Sequence, residues 1–243
     1  MSESELNPGV SIVICCHNSA GRLKPTLEHL KRQVVPPGLA WEVLVIDNAS
    51  TDDTARVAPG LWNDDKAAPL RVVAEPKMGL SNARARGFAE ARFDLVSFVD
   101  DDNWVAPGWV AKVFEIMASH PEVGACGGRS EAVFEVPPPE WFERYQGYLA
   151  IGSQSAQVGD ITEGHGWLWG AGLTVRKAAW EFLTRNGFHP LLSDRSGTRL
   201  TTGGDIELTY ALRLSGWRLW YDESLSIKHN MPAGRIEMGY LRR

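Results

Sequence analysis

The sequence predicts an α/β fold built on a mostly parallel sheet, and three observations carry that expectation. Short apolar, β-rich runs recur before residue 100, with segments of helical spacing between them. Those runs are apolar on both faces, as in strands covered by helices on either side. Each run ends in polar or charged residues, and open parallel sheets bind ligands at those carboxyl ends.

Residues 10–15 form the first strand. Asn18 or Ser19 is placed to cap a helix in which Leu23, Leu27 and Leu30 recur at i, i+4 and i+7, and Pro36-Pro37-Gly38 ends it. Residues 41–46 are a second strand that stops at Asp47. Ser50 and Asp53 have capping-box spacing, with Asp in place of Glu. Residues 70–74 are a third strand, 79–91 a helix rich in small residues, and 95–99 a fourth strand. Beyond Pro107 a helix carries Trp109, Val110, Val113, Phe114 and Met117 on one face, which reads as core. Residues 124–128 read as a small-residue strand against which something packs closely. Pro137-Pro138-Pro139 is a stiff linker. Trp141, Phe142, Tyr145 and Tyr148, at helical spacing, read as core or as a surface for a partner helix. Residues 170–175 lead from a loop into a strand, and 177–184 form a helix. Residues 186–204 read as a mobile loop, and Asp205 opens a helix with Leu208 and Leu212 inward. Residues 217–221 and 224–227 read as two short strands, the second leading into Lys228-His229-Asn230.

Composition narrows the class. With 44% hydrophobic and 23% charged residues the chain reads as soluble and globular, long enough for one sizeable core. A net charge of -5 without a basic stripe disfavours nucleic acid as the main partner. No apolar run approaches the ~20 residues of a membrane span. Met1-Ser2-Glu3-Ser4-Glu5 is too acidic for a signal peptide. The three cysteines, Cys15, Cys16 and Cys126, are odd in number and two are adjacent, which points to a reducing cytoplasm.

The densest chemistry follows the fourth strand. Asp100, Asp101 and Asp102 place three carboxylates at a sheet edge. Carboxylates that close raise each other's pKa unless a cation sits among them. Oxygen ligands suit Mg²⁺ or Mn²⁺, often shared with a ligand diphosphate. The competing reading is a solvated turn, with Asp102 or Asn103 starting the helix near Pro107. His17, Asp47 and Lys77 also lie just after strand ends, so residues far apart in sequence converge on one edge.

These residues carry a family likeness. Ser11-Ile12-Val13-Ile14 with Asn18, then residues 45–52 (Val-Ile-Asp-Asn-Ala-Ser-Thr-Asp), resemble the opening of family 2 glycosyltransferases with the GT-A fold. Gly79-Leu80-Ser81-Asn82-Ala83-Arg84, residues 98–103, and Gly203-Gly204-Asp205-Ile206-Glu207-Leu208 continue the likeness, which spans roughly residues 10–235. The resemblance implies one catalytic domain over 1–243, with a nucleotide-binding half at about 8–103 and a smaller acceptor-binding half at about 104–235. It implies a metal-dependent, inverting enzyme that moves a sugar from a nucleotide-diphosphate donor, usually a UDP-sugar, to a hydroxyl. The product would be a polysaccharide or glycoconjugate, and the acceptor a sugar or lipid-linked sugar.

On matching positions, Asp47 would read the nucleotide base, and Lys77 and Arg84 would contact nucleotide or diphosphate. Asp102 would ligate Mn²⁺ or Mg²⁺, Asp100 or Asp101 would touch ribose or metal-bound water, and His229 would complete the metal site. Asp205 would be the catalytic base, against the simpler reading of a helix N-cap, with Glu207 as rival. Gly204 departs from the usual Glu before that Asp, and His17 from the usual residue after the first strand. Trp167 and Trp169 read equally as a stacking platform for an acceptor sugar and as core. Competing functions are a non-catalytic nucleotide-sugar-binding module, an Asp-dependent phosphatase and a sugar-nucleotide pyrophosphorylase. The expected setting is the cytoplasm, at the inner face of a membrane if a C-terminal part beyond Arg243 makes peripheral contact there.

Overall fold

The computed structural model of the chain describes residues 7–63, 68–192, 194 and 203–242. Its first half alternates strand and helix: β1 (Val10–Cys16), α1 (Leu23–Lys31), β2 (Trp41–Asn48), α2 (Thr54–Leu61), β3 (Leu70–Glu75), α3 (Leu80–Glu90) and β4 (Leu95–Phe98). The second half runs β5 (Asn103–Val105), α4 (Trp109–Ser119), β6 (Val123–Phe134), α5 (Phe142–Tyr145), β7 (Gly159–Asp160), β8 (Thr174–Arg176), α6 (Lys177–Arg185), α7 (Gly204–Leu214), β9 (Arg218–Met231) and α8 (Met238–Leu241).

The strands form one sheet in the order β3-β2-β1-β4-β8-β6-β9-β5, with β7 paired to β9. The β3-β2-β1-β4 part is parallel, as the sequence predicts. Beyond β4 the sheet is mixed: β8 runs antiparallel to both β4 and β6, while β6 and β9 are parallel. Alternation along β1 explains the two-sided apolar pattern. Ile12 and Ile14 pack with Leu23, Leu27 and Leu30 of α1 on one face, and Val13 packs with Ala83 and Phe88 of α3 on the other. Trp109, Val110, Val113 and Met117 of α4 join the first of these cores, as their spacing suggests. Each fully buried Leu or Ile contributes about 1.5–3 kcal/mol. A third, smaller cluster joins Phe142, Leu149, Ile151, Met231 and Ile236.

Several sequence expectations change. Neither Asn18 nor Ser19 caps α1, whose N-cap is Arg22. Asn18 instead accepts hydrogen bonds through Oδ1 from the backbone N–H groups of Thr51 (2.8 Å) and Asp52 (3.3 Å), tying the loops after β1 and β2 together. The Ser50–Asp53 capping box does not form: Asp52 accepts from the Thr54 N–H at 2.9 Å, and the Ser50 hydroxyl accepts from the Asn18 N–H at 3.0 Å. The small-residue strand at 124–128 is the start of the twelve-residue β6, and the two short strands after residue 217 are one fourteen-residue strand, β9. Of the aromatic segment, Phe142 is buried and Tyr148 is exposed. Of the expected loop at 186–204, residues 193 and 195–202 lie outside the described residues.

Cys16 and Cys126 are buried strand residues, and burial pushes both thiols up, that of Cys126 to about 12. Only the thiolate is nucleophilic. Iodoacetamide at about pH 8 should therefore leave both unmodified in the native protein and alkylate both after denaturation. Mass spectrometry of tryptic peptides reads this out.

Candidate active site

The three consecutive acids do not act as one cluster. After β4 the chain turns tightly, the Asn103 N–H donating to the Asp100 carbonyl at 3.0 Å, and successive side chains leave in different directions. Asp101 turns back against the start of α1. It is buried, accepts a hydrogen bond from the Ser19 hydroxyl and pairs with Arg22 at 2.9 Å. The Thr26 hydroxyl holds its carbonyl at 2.9 Å. Burial raises the Asp101 carboxyl, and the Arg22 guanidinium pulls it back.

Asp102 faces the opposite way, toward β9. The sequence Asn103-Trp104-Val105 forms β5 rather than the first turn of a helix, and it pairs antiparallel with β9 so that Asn103 lies opposite His229. The Asn230 N–H donates to the Asp102 carbonyl at 3.0 Å and locks that register. His229, 1% exposed, thereby brings Nε2 to 3.6 Å from Asp102 Oδ1. The other carboxylate oxygen, Oδ2, accepts from Arg235 Nη1 at 2.6 Å. Arg235 sits in a 3₁₀ turn, Ala233–Ile236, and only 11% of its side chain is exposed. Sequence reasoning missed Arg235, because an isolated arginine past the last strand carries no spacing signal.

Among the described residues, no three His, Cys, Asp or Glu side chains gather as a preformed metal cage. The pair Asp102–His229 nevertheless fits a divalent cation. Its carboxylate and imidazole donors lie 3.6 Å apart, too far for a direct hydrogen bond. Two ligands each about 2.1 Å from one ion stand between about 3.0 Å (cis) and about 4.2 Å (trans) apart, a range that includes this separation. Mg²⁺-type sites also commonly take one or two protein ligands and complete their shell with water and substrate phosphate.

At the end of β2, Asp47 lies beside Cys16 of β1 and Ala74 of β3. Its Oδ1 is buried and has no hydrogen-bond partner among the described residues. An orphaned buried acceptor costs about 1–3 kcal/mol, so it marks a place where a ligand donor would be stabilising. Asn48, which the sequence did not single out, shapes the adjoining loop. Its Nδ2 donates to the carbonyls of Glu75 (3.0 Å) and Lys77 (2.8 Å), and its Oδ1 accepts from the Gly79 N–H at 2.8 Å. The loop so fixed leaves Lys77 exposed at the mouth of the site. His17 bonds through Nδ1 to the Asn48 carbonyl at 2.8 Å, which gives it a structural partner on the same rim.

A second charged group lies around Asp205. The Asp205 Oδ2 accepts from the Gly170 N–H at 2.6 Å, and Oδ1 accepts from the Ile206 N–H at 2.9 Å. Arg84, 12% exposed in its side chain, pairs through Nη1 with Asp194 Oδ2 at 2.9 Å and also feels the charges of Asp205 and Asp100. Glu207 is turned away: its two oxygens accept from the Leu191 and Leu192 N–H groups at 2.8 and 3.1 Å. Trp167 and Trp169 are half-buried just before Gly170, rings 6.3 Å apart and edge-on at 64°. Gln154 anchors that segment, accepting from the Trp169 N–H at 2.5 Å and donating to the Gly128 carbonyl at 2.8 Å.

Gly170 is required for this approach. A Cβ there would collide with Arg84 Nη2 and lie 3.3 Å from Asp205 Oδ2. Gly170→Ala must push Arg84 out of its buried pair, at a cost of about 1–3 kcal/mol. Its melting temperature should fall by several degrees, and a melt unchanged from wild type would show that the two side chains have room to part.

The family model "Glycosyl transferase family 2" matches residues 11–179, a span that covers Asp47, Lys77, Arg84 and Asp100–Asp102 and stops short of Asp205 and His229. The chain is 22% identical over 124 residues to the Bacillus subtilis protein named "Putative glycosyltransferase EpsH", covering 51% of this chain and 35% of EpsH. It is 30% identical over 96 residues to the cholesterol galactosyltransferase of Borreliella burgdorferi, covering 40% of this chain and 25% of that protein. Among solved structures, S. aureus TarS in complex with UDP-GlcNAc superposes with a TM-score of 0.69 at 17% identity, over 92% of this chain and 58% of that one. GalNAc-T7 with UDP, GalNAc and Mn²⁺ does so with a TM-score of 0.64 at 16% identity, over 94% of this chain and 45% of that one. This chain thus spans about a third or less of the curated relatives and about half of the solved ones. The architecture is the expected GT-A fold, and by the extent of the family match the chain belongs to glycosyl transferase family 2.

Proposed function

We propose that this chain transfers a sugar from a nucleotide-diphosphate donor, a UDP-sugar, to a hydroxyl acceptor with inversion at the anomeric carbon, using Mn²⁺ or Mg²⁺. The observation that carries the reading is the β5–β9 register, which brings His229 to 3.6 Å from Asp102 at the strand-end edge where Asp47 also lies. Asp102 and His229 would hold the cation, with Asp100 as a further oxygen ligand or ribose contact; the bound cation supplies Lewis-acid stabilisation of the leaving diphosphate. The orphaned Asp47 Oδ1 would accept from a base N–H, as uracil offers. Lys77, exposed at the mouth of the site, would add positive charge toward the phosphates, whereas Arg84 is committed to its pair with Asp194. Asp101, spent on Ser19 and Arg22, shapes the turn rather than touching ligand. Asp205, half-buried with its carboxylate oriented by two backbone N–H groups, would accept the acceptor's proton as general base.

Trp167 and Trp169, directly before Gly170, would offer aromatic faces to an acceptor sugar. One relative, 27% identical over 106 residues, is an undecaprenyl-phosphate 4-deoxy-4-formamido-L-arabinose transferase of Pseudomonas aeruginosa, which favours a lipid-linked acceptor reached from a membrane face. Among the described residues no helix is long and apolar enough to cross a membrane.

A thermal-shift panel of nucleoside diphosphates with and without Mn²⁺ tests the reading. UDP with Mn²⁺ should raise the melting temperature most. Asp102→Ala should remove the Mn²⁺-dependent part of that shift and leave the protein folded. A shift that survives the substitution would take the cation away from Asp102.

A further inference from the structure

Asp194 belongs to none of the roles above, yet it is among the most buried charged groups near the site, with 6% of its side chain exposed. It reaches the cleft from the segment before α7. Its Oδ2 pairs with Arg84 at 2.9 Å, and its Oδ1 accepts from the Gly204 N–H at 2.9 Å. Gly204 is what admits it. A Cβ at position 204 would meet only this carboxyl first: its three nearest atoms are Oδ2, Cγ (2.7 Å) and Oδ1 (2.8 Å) of Asp194. Gly204 has no left-handed backbone conformation to demand glycine, so the missing side chain is explained by the occupied space. A longer side chain at 204 and the Asp194 carboxyl are therefore alternatives for one volume, directly beside Arg84 and one residue before Asp205.

That volume matters because Arg84 lies between carboxylates. Asp194 and Asp205 face it from the α7 side and Asp100 from the end of β4, with Cys15 of β1 nearby. Glu207 is the other acid in range of Asp194. Nη2 of Arg84 and Oδ2 of Asp205 both crowd the same point, the Cβ that Gly170 lacks. An Arg84 without its partner would be free to turn to Asp205 and form the short ion pair that the structure does not have. Asp205 would then be held as an unprotonated counter-ion and would lose its capacity to take a proton.

We propose that Asp194 is a positioning residue: it occupies the space a side chain at 204 would fill, holds and neutralises Arg84 there, and so keeps Asp205 available as a base. This rests on the role given to Asp205 above.

The test moves the carboxylate. Protein carrying aspartate labelled at the carboxyl carbon is titrated by NMR, with Asp205→Asn assigning the Asp205 signal. Asp194→Ala should move the Asp205 signal's titration to lower pH than in wild type, since it removes a neighbouring negative charge and releases a positive one. Asp194→Ala with Gly204→Glu puts a carboxylate back from the other side of the same space and should restore the midpoint to near its wild-type position. Gly204→Glu alone must collide with Asp194 and should melt lower than the double variant. UDP release from the donor is measured alongside. Asp194→Ala should turn over at least tenfold more slowly with UDP affinity within threefold of wild type, and the double variant should recover most of that loss. An Asp205 midpoint unmoved by Asp194→Ala, or a double variant no better than the single one, overturns the proposal. Undiminished turnover in Asp205→Asn would instead sink the base assignment, whatever the titrations show.

Discussion

Gly128→Ala should lower the melting temperature by roughly 10 °C, the largest stability loss expected of any single methyl group in the described chain. A Cβ at this position would fall inside the van der Waals envelope of the Leu225 carbonyl oxygen and 2.5 Å from the Leu225 Cβ. The obstructing atom is backbone, and Leu225 is fully buried in the core between β9 and α4. No rotamer change relieves the contact, so β6 and β9 must separate. Ordinary overpacking costs about 1–3 kcal/mol. A forced backbone shift in the longest strand pair belongs in the tail near about 4 kcal/mol. At about 2–4 °C per kcal/mol for a chain of this size, the melt moves by roughly 8–16 °C. The effect should also reach the site. The register of β6 on β9 slips between Gly127 and Arg129, and the pairs beyond that slip run on to Ala132 opposite His229. A variant that still folds at low temperature should therefore show a weakened Mn²⁺-dependent UDP shift. Gly108→Ala is the control: a Cβ there meets nothing within 4 Å, and it should melt within about 0.5 kcal/mol of wild type. Equal melts for the two variants would mean that β6 and β9 are less tightly joined than the coordinates require.

The contrast between the two halves of the sheet shows which physics a sequence displays. The strands β1, β2 and β4 are buried on both faces and bounded by turns, so runs such as Val10 to Cys16 announce themselves. Strand β9 hides itself. Its middle carries Asp222, Glu223 and Ser224, where Asp222 Oδ1 accepts from both the Ser224 N–H (2.9 Å) and hydroxyl (2.6 Å). Such a local turn reads as a loop between two strands, while the backbone ladder to β6 resumes at Ser226. The three acids after β4 were visible, but not their separate fates. Asp101 and Asp102 are chemically identical, and only the turn geometry sends one to Arg22 and the other to Arg235. Asn18 looked like a cap because caps and loop clips use the same side chains; its partners lie across the next strand. Asp47, Lys77, Arg84, Asp205 and His229 could be named from spacing and resemblance. Arg235, Asn48 and Asp194 could not, because each matters through a partner distant in sequence: Arg84 and Asp194 are 110 positions apart.

Asp205→Asn should leave donor binding intact and slow transfer by about 10²–10⁴, the range that a positioned general base supplies. The substitution keeps size and shape, so the leading alternative to a catalytic effect is misfolding, and the hydrogen bonds say how large that can be. Asp205 accepts from two backbone N–H groups, those of Gly170 and Ile206. An asparagine has one acceptor oxygen, so one of these donors loses its partner at about 1–3 kcal/mol. The Asp205 carbonyl still receives the Thr209 hydroxyl at 2.9 Å, which keeps the first turn of α7 closed. The variant should therefore melt a few degrees lower while retaining the UDP and Mn²⁺ shift, because Asp47 and His229 stand on β2 and β9 and Asp102 in the turn before β5, all apart from α7. A helix cap and a base part company at this point. If Asp205 only caps α7, transfer falls in step with the lost folded fraction and recovers fully on cooling. If it takes the acceptor's proton, the defect persists at every temperature at which the variant is folded, and it appears in kcat rather than in the affinity for UDP. Transfer above about a tenth of the wild-type rate under those conditions would leave the proton without its acceptor at this position.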